Sequence, residues 1–247
     1  MRSNLLKGGI LAAVLALGSA AQAAAPVKRA VELPPPADLA YELNAQHRGF
    51  ALKGEALIAW RGGDGKYDVN VEARAALLGK LTEYRSHGTV DSFGLAPAEF
   101  YEKRYRKDAT TTVFNRENKT ITLSDAKEPV PLNGGEQDRA SVTWQLASVA
   151  RAAGEARFKP GSEWSFVVAS RRDVDPWTFK VIKREKIQTA MGELDTLLVT
   201  REPRGEGKSE GVDIWLAPGQ EWYPVKLRFR DDERETIEQT VTKITRK

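Results

Sequence analysis

The chain of 247 residues contains no cysteine. That absence excludes disulfides, thiol catalysis, iron–sulfur clusters, cysteine-ligated zinc and haem attached through cysteine. Histidine is scarce: His47 and His87 are the two present, and neither has a partner at ligand spacing, so no metal site is expected. No long hydrophobic run occurs. The apolar stretch 8–20 is about 13 residues, against the ~20 that a membrane-spanning helix needs. An excess of charge is missing too. The chain has 38 Lys+Arg against 34 Asp+Glu, and two of the cations, Arg2 and Lys7, precede or flank that apolar stretch. The remainder is close to balanced and shows no clustered basic face, so nucleic acid is not an expected partner.

The same N-terminal features describe a leader. Arg2 and Lys7 make a positive region, 8–20 an apolar region, and Ala21-Gln22-Ala23 a small-x-small cleavage site. Residues 1–23 are therefore read as a Sec-type signal peptide with no cysteine for a lipid anchor, and the mature protein as periplasmic and not integral to a membrane. Residues 24–36, ending in Leu33-Pro34-Pro35-Pro36, read as a proline-rich linker, because three prolines enforce an extended backbone. Residues 37–247 read as one domain.

Within that domain the dominant pattern is alternation with period two. Tyr67, Val69, Val71, Ala73 and Ala75 fall on one face, and Asp68, Asn70, Glu72 and Arg74 on the other. Gly62-Gly63-Asp64-Gly65 turns the chain between this strand and the one carrying Ala56, Ile58 and Trp60. A weaker strand covers 81–90, Gly94-Leu95-Ala96-Pro97 reads as a turn, and 100–106, 110–115 and 119–124 continue the meander. Past 160, alternation returns around Trp164, Trp177, Leu194, Ile214, Leu227 and finally 236–244. About a dozen short strands separated by turns predict a mainly β fold: an antiparallel curled sheet or barrel-like roll. A lipid-embedded barrel is not expected, because Lys226, Arg228 and Arg230 occupy the second face of one strand.

One segment breaks the pattern. Residues 137–154 place Val142, Leu146, Val149 and Ala153 on one helical face, with Asp138 to cap the start and Gly154 to end it. This single central helix is expected to pack on the apolar faces of the strands.

Several motifs, in this order, resemble the DUF3108 family of periplasmic proteins: the opening Tyr41 strand, Gly94-Leu95-Ala96-Pro97-Ala98-Glu99-Phe100, the Asp138-started helix, Thr189-Ala190-Met191-Gly192-Glu193-Leu194, and Trp215-Leu216-Ala217-Pro218 followed by Tyr223-Pro224-Val225. The resemblance covers most of the mature chain. It implies a β-rich periplasmic fold and supplies neither an activity nor catalytic residues. The chain departs from the family pattern at Gly219, where relatives often carry an acid.

No catalytic set emerges. No nucleophile elbow, serine–lysine pair or phosphate-binding glycine loop is read in the chain. Asp173 and Asp175 precede Pro176 and read as a solvated turn rather than a calcium loop. Paired carboxylates for glycoside cleavage have no sequence marker. Six tryptophans remain. Most are expected in the core, yet Trp144 falls off the main helical face and Trp215 points opposite Ile214 and Leu216. Trp144, Trp215, Trp60 and Trp177 are the candidate ligand contacts of an aromatic-lined cavity. The expected function is that of a non-catalytic envelope protein, without cofactor, that binds a lipid or glycan or an envelope protein. A hydrolase of envelope glycan or lipid and a structural or assembly factor are the alternatives.

Overall fold

The computed structural model describes residues 27–47, 50–76, 78–201, 211–231 and 235–247. The leader expected over 1–23 and residues 202–210 of the glycine-rich stretch lie outside the described residues, as do residues 232–234.

The first half of the chain forms β1 (Ala37–His47), β2 (Phe50–Gly63), β3 (Lys66–Ala75), β4 (Gly79–Asp91), β5 (Gly94–Arg104), β6 (Thr110–Asn115), β7 (Thr120–Thr122) and β8 (Val130–Pro131). Then comes α1 (Ser141–Arg157). After it run β9 (Glu163–Ala169), β10 (Val174–Thr189), β11 (Gly192–Arg201), β12 (Gly211–Ala217), β13 (Tyr223–Asp231) and β14 (Glu235–Arg246). The strands make one 14-stranded sheet in the order β8-β7-β6-β5-β4-β3-β2-β1-β14-β13-β12-β11-β10-β9. Every neighbour is antiparallel, so the first and last strands of the domain pair and the sheet is a meander joined at β1 and β14.

The sheet curls because its ladders are interrupted. Bulges fall at Ala40/Tyr41, Ala73/Arg74, His87/Gly88, Val181/Lys183 and Trp215/Leu216, and each bends and twists its strand. The curl brings the two ends of the sheet towards each other. Gln137, a short way beyond β8, pairs in parallel with the free edge of β9: its amide donates to the Val167 carbonyl (2.8 Å) and its carbonyl accepts from Ala169 (2.8 Å). The result is the expected mainly β, barrel-like roll.

Gly94-Leu95-Ala96-Pro97 is not a turn. The tip lies at Ser92-Phe93, and Gly94 to Pro97 opens β5, fully buried. Pro97 is tolerated there because it sits opposite the bulge at Gly88, where the regular ladder lapses and a missing N–H costs little. Gly88 is required in turn: a Cβ at that position would meet the Ala96 carbonyl oxygen at 2.2 Å.

Helix α1 occupies the centre of the roll. It begins at Ser141, later than the spacing predicts, and it is not amphipathic in the expected sense. Trp144, Gln145 and Ser148 are as buried as Val142, Leu146 and Val149, because strands surround the N-terminal half. Gly154 (φ 60°, ψ 176°) interrupts the helix, and a further turn runs to Arg157. The segment 27–36 keeps the extended backbone that its prolines impose, but it is tied to the body. Pro34 accepts from the Trp60 indole (2.8 Å), Pro35 from the Tyr223 hydroxyl (2.8 Å), and the Glu32 amide donates to the Ser148 carbonyl (3.0 Å).

Candidate functional site

The roll is filled at one end and open at the other. Hairpins β1–β2, β3–β4, β5–β6 and β13–β14 all turn at the open end. There the inward residues of alternating strands enclose a cavity of about 260 Å³. Leu43 of β1, Ile58 of β2 and Ala73 of β3 form one wall; Leu227 and Phe229 of β13 and Ile237 of β14 form another. The start of α1 roofs it with Ala140, Thr143 and Trp144. Ile237 at the mouth is 40% exposed, and Leu78 and Tyr105, in turns at the same end, are also exposed. Apolar side chains therefore reach the rim, beside Arg104 at the end of β5.

The closed end is an aromatic stack. Trp144 lies parallel to Trp60, with centroids 4.3 Å apart and planes 3° from parallel. Tyr67 continues the stack beyond Trp60 (6.2 Å), and Tyr223 meets Trp144 edge-on (6.3 Å). Each buried polar tip has a partner. The Trp60 indole uses Pro34, and the Tyr41 hydroxyl donates to the Pro224 carbonyl (2.7 Å). Burial pushes the Tyr41 phenol far above its usual value.

A buried polar group anchors the helix start beside the cavity. Asp138 is fully buried, and its Oδ1 accepts from the amides of Ala140 and Ser141 (2.8 Å each). Its Oδ2 accepts from the Ser86 hydroxyl of β4 (2.5 Å), and Ser86 in turn contacts the Tyr67 hydroxyl (3.0 Å). Burial raises the Asp138 carboxyl to about 6; hydrogen bonds from Ser86, Ser141 and Ala140 pull the other way but do not prevail. Gln145 completes the anchor: its carboxamide oxygen accepts from the Leu95 amide (2.7 Å) and its nitrogen donates to the Phe93 carbonyl (2.8 Å).

Two charged side chains line the cavity among the described residues, Arg104 at the end of β5 and Arg139 just ahead of α1. The Arg104 Nε–H donates to the carboxylate of Glu102, which is buried on the same inward face as Phe100.

The four tryptophans expected to share a cavity do not all meet. Trp144 lines it and Trp60 backs Trp144. Trp215 lies on the other face of β12, buried beneath Lys226 and Arg228 (5.1 Å each to its ring), with its indole donating to Glu185 (2.9 Å). Cationic side chains supply the second apolar surface that Trp215 needs, through their alkyl stems. Trp177 stands on β10 under the Arg201 guanidinium (3.8 Å), away from the cavity. Sequence reading misses Arg104, Arg139 and the Asp138–Ser86–Tyr67 group. The signal for Arg104 is present in the pattern, since Phe100, Glu102 and Arg104 alternate as one face.

Two serine spacings that sequence reading passes over are present in the chain. Ser124-Asp125-Ala126-Lys127 follows β7, and the Ser124 hydroxyl donates to the Thr111 carbonyl (2.8 Å). In Gly207-Lys208-Ser209-Glu210-Gly211 the first four residues lie outside the described residues, and Gly211 opens strand β12. Among the described residues neither motif is followed directly by the helix that such motifs open. No cluster of three metal-ligating side chains occurs among the described residues, and no helix there is long and apolar enough to cross a membrane.

Several solved structures are similar in outline. A domain from Vibrio parahaemolyticus, provisionally named an outer membrane lipoprotein-sorting protein, is 10% identical, with a TM-score of 0.31, covering 88% of this chain and 87% of that one. A provisionally named exported protein of Bacteroides fragilis with a YmcC-like fold is 8% identical, with a TM-score of 0.36, over 89% and 99%. A provisionally named lipoprotein of Parabacteroides distasonis is 8% identical, with a TM-score of 0.34, over 88% and 99%. No curated protein matches the chain. The model of DUF3108, a family described as protein of unknown function, matches residues 40–239. With that match extending from β1 into β14, the chain belongs to the DUF3108 family.

Proposed function

We propose that this protein is a non-catalytic component of the cell envelope that holds a hydrophobic, lipid-like ligand in the open end of its roll. The observation that carries the reading is the cavity itself: mostly apolar walls, exposed Ile237 at its mouth and Trp144 in its roof, in a molecule whose other half is tightly packed. A folded protein closes such spaces unless something occupies them, because each unfilled volume forfeits dispersion contacts. Its volume of about 260 Å³ is just under the range of small-molecule sites, roughly 300–1,000 Å³. One acyl-type chain fits that space better than a branched glycan, whose hydroxyls would need many polar partners. Asp138 and Ser86, beside the cavity, hold the helix in place: they are engaged with each other and with the first-turn amides. The N-terminal leader pattern supports an address outside the inner membrane.

Native mass spectrometry tests the reading. The protein, expressed with its own leader and recovered from the periplasm without detergent, is expected to carry an extractable adduct of acyl-chain mass. Ala73→Trp places an indole in the cavity and is expected to abolish that adduct. A bare mass for the wild type, unchanged on adding free acyl chains, overturns the reading and points to a protein partner instead.

A further inference from the structure

The inner end of the cavity is built differently from its mouth. We propose that the site selects its ligand by chain length, with the Trp144 indole as the stop against which the end of a single straight chain comes to rest; this rests on the cavity being a ligand site. The register places the stop. On β2 and β3 the innermost lining residues are Ile58 and Val71, which pair with each other. The next residues on the same inward face are Trp60 and Val69, also a pair, and both are 0% exposed. Trp144 is the member of the closed-end stack that lines the cavity, and it lies flat on Trp60. At the other end the lining reaches Ile237, which is opposite Ala45 and, across β1, level with Leu52 of β2. Ile58 and Leu52 are six residues apart, so the lined stretch runs ~20 Å along the strands at ~3.4 Å per residue. That is a slot for one chain, closed at one end.

The stop is rigid because each ring is held from behind. The Trp60 indole N–H donates to the Pro34 carbonyl (2.8 Å), and the ring lies over Gly62, where a Cβ would meet it at 2.4 Å. Tyr67 stands beyond Trp60, and Tyr223 meets Trp144 edge-on with its hydroxyl fixed on the Pro35 carbonyl (2.8 Å). A close-packed, hydrogen-bonded stack does not open for an extra methylene, since that sacrifices dispersion contacts and leaves a buried indole N–H without a partner. A chain longer than the slot therefore keeps its surplus methylenes in water at the mouth, where they add nothing to binding.

Calorimetric titration of the mature protein with straight-chain carboxylates from octanoate to hexadecanoate, each below its micelle concentration, tests this. Affinity is expected to rise about fourfold per methylene and then to level off. Trp144→Leu, which cuts back the stop, is expected to move the levelling to longer chains, with about fourfold tighter binding for each further methylene admitted. That variant also disturbs the stack, so quenching of the wild-type tryptophan fluorescence gives an independent reading. A dodecanoate with bromine at the chain end is expected to quench more strongly than one with bromine beside the carboxylate. Three results overturn the proposal while leaving the ligand site standing: affinity that climbs unbroken to hexadecanoate, a break that stays put in folded Trp144→Leu, or equal quenching by the two bromides. If no chain binds, the proposed function falls with it.

Discussion

Asp138 shows how burial at one residue sets a property of the whole chain. Its carboxyl is raised to about 6 because desolvation disfavours the charged form more than three hydrogen bonds favour it. The folded state therefore keeps the proton to higher pH than the unfolded chain, where a carboxyl titrates near ~3.9. Stability from this group is fully present below about pH 4 and is lost as pH rises through about 6. Asp138→Asn keeps an oxygen for the Ala140 and Ser141 amides and removes the titration. Urea unfolding of both proteins at pH 7 and pH 4 is expected to show the wild type gaining on the variant at the lower pH, by on the order of 3 kcal/mol. Carboxylates held low by Lys or Arg, such as Glu72 and Asp195, act in the opposite sense but are common to both proteins and cancel. A stability difference independent of pH sinks this account. Trp144 is the other residue where environment overrules pattern. Helical spacing sets it apart from Val142 and Leu146, yet the stack on Trp60 buries it completely.

At the scale of elements, the hairpins were the most legible part of the sequence. Strict alternation in β3 and the glycines around Asp64 placed the β2–β3 turn correctly, because both signals are local. The β4–β5 turn was not legible. Gly94 and Pro97 mimic turn chemistry, and only the bulge on the neighbouring strand makes room for that proline, which is a tertiary fact. The helix was legible in existence but not in environment, since a 3.6-residue period cannot report that strands enclose all sides. The candidate site was legible only in part: alternation marks which residues face inward, but it does not say which inward space stays empty. The proline segment adds a prediction of its own. Its carbonyls are the partners of the buried Trp60 indole and the Tyr223 hydroxyl, and Arg151 of α1 pairs with its Glu32. A chain beginning at Ala37 keeps all fourteen strands yet is expected to lose ~1–3 kcal/mol in urea unfolding, the cost of buried donors left without acceptors. Unchanged stability on that truncation would show that the segment is only a tether.

The whole molecule divides by packing density, and that division makes the last prediction. On the β9–β11 side, inward aromatics interlock: Phe166 with Phe179 at 6.0 Å, Phe179 with Trp177 at 6.4 Å, and Phe158 with Trp164 at 5.5 Å. On the β1–β4 and β13–β14 side, the inward residues border the cavity. Removing a side chain costs its transfer energy plus the void it leaves, so the same substitution should differ between the two sides. Phe179, 1% exposed, sits in the packed half. Phe179→Ala is expected to cost ~3–5 kcal/mol. Phe229 is only partly buried and already borders open space. Phe229→Ala creates no new enclosed void and is expected to cost about 1 kcal/mol, while enlarging the site enough to admit bulkier chains. Chemical unfolding gives the two costs, and titration with branched acyl probes gives the change in capacity. Equal costs at Phe179 and Phe229 would mean that the open end closes in solution, and the reading of this fold as a carrier would have no space in which to operate.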